Sequence, residues 1–137
     1  MQRAIAFVTL VMIFVGCDPL RRLSVSRSIP GPLERTCVVE ALRMERTVKE
    51  AAIVDSGLIY AEVILPPSLA GRDGYPATTG INIQERRNDK GELEINVFKN
   101  WVGSSGSGEF RTYMLKVMEE LRDRTIERCG GKSASVW

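Results

Sequence analysis

The chain predicts an α+β fold: a two-layer sandwich, ordered α-β-β-β-β-α, with both helices on one face of a four-stranded antiparallel sheet. Three observations predict it. Apolar residues recur at helical spacing near both ends of the region 32–130. Between them lie four segments rich in β-branched residues, separated by turn chemistry. The composition, 44% hydrophobic and 26% charged, is that of a packed domain rather than a disordered chain. The 137 residues suit one domain, and no internal repeat is present.

The first helix is expected over Leu33–Glu45. Pro32 suits an early helical position, and Leu33, Cys37, Val38, Ala41 and Leu42 share one face. Strands at Thr47–Val54 and Leu58–Leu65 follow, joined as a hairpin by Asp55-Ser56-Gly57. The second can bury either face and is the best candidate for a central strand. Pro66-Pro67 ends it, and a long loop runs to Thr79. A third strand is expected over Gly80–Arg87, with Ile81 and Ile83 on one face. Asn88-Asp89-Lys90-Gly91 supplies a hairpin turn, with Gly where φ is positive. The fourth strand, Glu92–Trp101, turns Leu93, Ile95 and Val97 inward, an alternation that implies one covered and one wet face.

Gly103–Gly108 breaks the chain. The last helix is expected over Glu109–Cys129, with Ser107 as its cap and Phe110, Tyr113, Met114, Val117, Met118, Leu121 and Thr125 as its inner stripe. Arg124 and Arg128 suit its C-terminal dipole, and Gly130 can end it. Residues 131–137 read as a loose C-terminal tail.

Upstream of the domain the chain has another character. One Arg at position 3 precedes an uncharged, mostly apolar run from Ala4 to Val15. A membrane span needs about 20 residues, so this run is too short; it has the make-up of a secretory signal. It ends in Phe14-Val15-Gly16-Cys17, which resembles the lipobox of bacterial lipoproteins. The resemblance covers only the signal and its junction, and Phe14 stands where Leu is usual. It implies that residues 1–16 are a signal peptide and that Cys17 becomes the acylated first residue of the mature chain. Two or more acyl chains would hold it stably on a bilayer. Asp18 resembles a signal for retention in the inner membrane.

Residues 17–31 are then expected to form the lipidated N-terminus and a flexible tether, rich in Ser and Pro, reaching at most about 50 Å. Arg21, Arg22 and Arg27 are its cations; they suit anionic head groups, but three arginines make a weak cluster and a solvated linker is the favoured reading. Removing residues 1–16 deletes Arg3 alone among the charges, so the net charge falls from +2 to +1.

Export would place Cys37 and Cys129 in an oxidising compartment, where two remaining cysteines usually pair. A bond between them would enclose most of the domain and stabilise it by about 4.5 kcal/mol in the chain-entropy model. The alternatives are two buried thiols or a redox pair, and no Cys-x-x-Cys supports the latter.

Chemistry is sparse. The absence of His removes Ser-His and Cys-His pairs and the commonest zinc ligand. No metal cluster, nucleotide fingerprint or nucleophile elbow is present, and no cofactor is implied. The near-balanced charge gives no footprint for nucleic acid. Gly103–Gly108 lacks the Lys-Ser/Thr of a phosphate loop and reads as a linker. Glu62, Glu85, Glu92 and Glu94 are the carboxylates from which an acid/base pair would be drawn, although such residues normally decorate a wet face. Arg72, Asp73 and Tyr75 in the long loop, with Phe98 and Trp101, are the candidates for ligand or partner contact. The leading expectation is a cell-envelope lipoprotein facing the periplasm, bound to the bilayer through acylated Cys17. Its domain would be a non-catalytic module for an envelope protein or ligand. The alternatives are a carboxylate hydrolase of envelope polymers and a purely structural protein.

Overall fold

The computed structural model describes residues 20–54, 58–70, 77–102 and 108–130. Seven elements follow in order: β1 (Leu20–Ser28), α1 (Arg35–Arg43), β2 (Val48–Ile53), β3 (Ile59–Ile64), β4 (Thr78–Arg87), β5 (Leu93–Val102) and α2 (Gly108–Cys129). The strands form one antiparallel sheet in the order β1-β5-β4-β3-β2. The fold is therefore α+β with an antiparallel sheet and two helices, but the sheet has five strands rather than four.

The extra strand lies where a flexible tether was expected. Leu20–Ser28 pairs along its length with β5, from Leu20 opposite Val102 to Ser28 opposite Glu94. Its alternation explains why. Leu23 and Val25 are buried at 3% and 8% exposure in the apolar core, and Ser24 and Ser26 lie on the other face. Two apolar positions suffice for an edge strand, because one side of its backbone already pairs with β5.

The apolar face collects Leu23 and Val25 from β1 and Ile95 and Val97 from β5. Ile81 and Ile83 of β4, Ile59, Ala61 and Val63 of β3 and Ala51 of β2 complete it. Val38 and Leu42 from α1 and Met114, Met118 and Leu121 from α2 join the same core. α1 packs against β2 and β3, α2 against β1 and β5, and the helices pack on each other. Each fully buried side chain of this size contributes about 1.5–3 kcal/mol.

Local chemistry sets the boundaries. Leu33 precedes α1 and is buried, and its N–H donates to Glu85 Oε2 at 3.0 Å. In the β4–β5 turn, Gly91 has φ +76°, and Asn88 Oδ1 accepts from the N–H groups of Lys90 and Glu92 at 2.9 and 3.0 Å. Each edge strand has one carbonyl taken by an arginine from a helix. Arg43 Nε donates to Ala51 O on β2 at 3.0 Å, and Arg122 Nη1 donates to Ser26 O on β1 at 3.2 Å. These contacts blunt edges that would otherwise pair with other chains.

The strand directions give the sheet two distinct ends. The start of β1, the end of β5, the start of β4 and the end of β3 share one, with Ile64 opposite Thr78. The turn Asn88–Gly91 lies at the other. α2 starts at the first end, where Tyr113 Oη donates to Ile64 O at 2.9 Å. It runs to the second, where Cys129 bonds to Cys37 with a Cα–Cα separation of 5.9 Å. The pairing expected of these two cysteines is present.

Candidate functional site

The polar face of the sheet carries the densest set of side-chain interactions. Alternation places Arg22, Ser24 and Ser26 of β1 on it, beside Phe98, Asn96 and Glu94 of β5. On β4, Asn82, Gln84 and Arg86 stand opposite Phe98, Asn96 and Glu94. Asn96 is fully buried, and its Oδ1 accepts from Ser24 Oγ at 2.6 Å and Ser26 Oγ at 2.7 Å. Its Nδ2 has no partner among the described residues. Glu94 is buried too, and its carboxylate accepts from Arg86 Nε at 2.7 Å. Phe98 lies beneath the Arg22 guanidinium, 4.2 Å from ring centroid to Cζ, within cation–π range. Around these buried groups the row exposes the Ser24 and Ser26 side chains and the Arg22 and Arg86 guanidiniums, with Asn82 and Gln84 half-buried beside them. That chemistry can bind a polar partner by hydrogen bonds, and it holds no base positioned on a nucleophile.

The residues singled out from sequence are scattered. Cys17, Arg72, Asp73 and Tyr75 lie outside the described residues. Trp101 occupies the end of β5, opposite Arg21. Phe98, expected as a ligand contact, is already covered by Arg22. Of the row around Asn96, Glu94 and Phe98 were singled out separately, but Asn96, Ser24 and Ser26 were not. The row's sequence signal is the alternation Leu23-Ser24-Val25-Ser26, which becomes informative once β1 is paired.

The four candidate carboxylates do not assemble into an acid/base pair. Glu85 lies at an apolar-face position and holds the Leu33 N–H. Glu92 accepts from Ser28 Oγ at 3.1 Å, and Glu62 from Thr78 Oγ1 at 2.6 Å. Glu62 and Glu94 share the polar face, but they stand opposite Gly80 and Arg86. That interval along β4 is about 20 Å at 3.4 Å per residue. Glycosidic carboxyl pairs stand about 5–9.5 Å apart. Glu62 does have a near carboxylate, Glu50, directly opposite on β2. Such a like-charged pair is a small destabilising contact.

A second polar region lies where α1 and α2 meet. Glu45, Arg46, Glu120, Arg124 and Arg128 line a cleft of about 360 Å³. The Glu45 carboxylate, 12% exposed, is 3.3 Å from Arg124 and 3.6 Å from Arg128. The arginines are thus partly neutralised within the cleft. Among the described residues, no group of three or more acids and cysteines is placed to hold a metal.

Among the described residues, three groups are electrostatically shifted. Burial lowers the Lys99 ammonium from its ordinary value, and its Nζ donates to Gly80 O at 3.1 Å. Burial, then the nearby Glu120 charge, raises the Tyr113 phenol. The hydrogen bond from Arg122, followed by that from Arg27, holds the Asp123 carboxyl below its ordinary value against a smaller desolvation effect. Each shift belongs to a contact that ties an element to the sheet or helix beside it.

No family model matches the chain, and no curated protein matches it. Among solved structures, a Staphylococcus aureus protein of unknown function, SA2116, aligns with 80% of this chain and 86% of its own at 10% identity. The TM-score of that alignment is 0.29, a likeness too low to inform fold or function.

Proposed function

We propose that the protein is an exported, membrane-anchored envelope lipoprotein whose domain is a non-catalytic binding module. The observation that carries this reading is the Cys37–Cys129 bond. Of three cysteines in the chain, it leaves one, Cys17, at the end of an apolar signal-like run. A paired couple suits an oxidising compartment, and a remaining cysteine at a lipobox-like junction suits acylation. Among the described residues no helix is long and apolar enough to cross a membrane.

The module reading rests on the sheet. Both helices cover its apolar face, and the row from Arg22 to Arg86 on the other face is the surface for an envelope partner. Glu62 and Glu94 stand too far apart to act as a pair, which argues against hydrolysis by those two carboxylates.

Intact mass of the protein extracted without reductant from the membrane of a bacterial host tests the anchor. The expected species starts at Cys17, is heavier by acyl groups and lacks two hydrogens. An unmodified chain, with residues 1–16 retained or cut elsewhere, would remove the lipoprotein reading.

A further inference from the structure

We infer that the domain stands directly on the bilayer that anchors it, with the sheet end that carries the start of β1 and the end of β5 against the head groups. The inference rests on acylation of Cys17, the reading proposed above. Its independent support is a length. The sequence alone allowed a tether of about 50 Å, but pairing begins at Leu20, opposite Val102. Only Asp18 and Pro19 separate that strand from Cys17. Three residue steps span about 11 Å at most, and Pro19 restricts φ within them. Each head-group layer is itself about 6 Å thick. The first paired residue therefore lies within about two such thicknesses of the lipid anchor, and the domain has no slack to stand away.

The spacer, rather than charge, decides which end faces down: the β1-start end carries exposed Arg22 and Arg111 beside Glu50, Glu62 and Glu109, and the far end carries Arg86, Arg87 and Lys90 beside Asp89 and Glu92. In this orientation the Asn88–Gly91 turn lies away from the bilayer, open to a protein partner.

The test uses the acylated full-length protein in vesicles of phosphatidylethanolamine with a minority of phosphatidylglycerol. Exposed Asn100 and Lys90 are replaced in turn by Asn100→Cys and Lys90→Cys and labelled with an NBD fluorophore without reductant. They sit near opposite ends of β5, about 27 Å apart along the strand direction. A lipid carrying a nitroxide on its head group is the quencher. The expected result is several-fold stronger quenching at position 100 than at position 90. Equal quenching, or stronger quenching at 90, in a sample whose intact mass shows acyl groups overturns the orientation while leaving the anchor standing. A sample without acyl groups overturns the anchor reading and this inference with it. Thr112→Cys and Asp89→Cys form a second pair at the same two ends, in case either first variant misfolds.

Discussion

Asp123 is held between two arginines, with Arg122 Nε at 3.0 Å and Arg27 Nη1 at 3.1 Å. Arg122 also reaches the Ser26 carbonyl, so this small group joins α2 to β1. The carboxylate titrates below its ordinary value of 3.8. Its contribution is complete above that value, where folded and unfolded chains are both ionised. It is lost as pH falls from 3.8 through the depressed folded value, because the unfolded chain takes up the proton first. Asp123→Asn lacks this term. Wild type is therefore expected to lose stability more steeply than the variant on acidification below about pH 4, with little difference in slope nearer neutrality. Urea midpoints across that range check it, and parallel curves would remove the assigned role. The site is half exposed, so salt should shrink the effect.

At the scale of elements, β3 and β4 meet through an aromatic ring laid over a glycine. A Cβ added at Gly80 would lie 2.5 Å from Tyr60 Cε2 and 2.6 Å from its hydroxyl. The absence of a side chain there lets the ring cover the strand. Gly80→Ala is expected to cost about 1 kcal/mol by displacing the ring, and close to nothing in a Tyr60→Ala background. A denaturant double-mutant cycle measures this, and equal costs in both backgrounds would sink the contact. The same scale shows what the sequence made legible. Helix α1, the β4–β5 hairpin and α2 announce themselves by apolar spacing, by Asn88-Asp89-Lys90-Gly91 and by a long inner stripe. β1 does not. Its apolar residues are Leu20, Leu23 and Val25, and three arginines and three serines among its nine residues resemble a solvated linker. Its partner, β5, lies some seventy positions away, and local pattern carries no information about pairing at that distance. For the same reason the Asn96 row stayed hidden, since three of its members sit on β1.

At the scale of the molecule, the Cys37–Cys129 bond ties the first helix to the last across a sequence separation of 92. Closing a loop of that length stabilises the fold by about 4.5 kcal/mol in the chain-entropy model. Cys37→Ser, Cys129→Ser and the double variant are expected to lose similar amounts, because each removes the same bond. Thermal melts of the three, beside the wild type with and without reductant, check this. Strongly unequal single losses would show that packing around one sulfur outweighs the covalent link. That these cysteines pair was legible from their number and from the signal-like apolar run upstream. The placement of the bond at the far end from the start of β1 was not, because it depends on which way α2 runs over the sheet.

The pairing of β1 with β5 also has a temporal meaning. The strand made first has its partner made nearly last, and its outer side is held by Arg122 and Asp123, which are made later still. Neither this edge nor the cross-link can close while the chain is still emerging, because the residues that complete them are not yet there. Contacts this remote in sequence close slowly even in a finished chain. A growing polypeptide with this topology therefore leaves β1 unpaired until β5 has been made, and the cross-link open until α2 is complete.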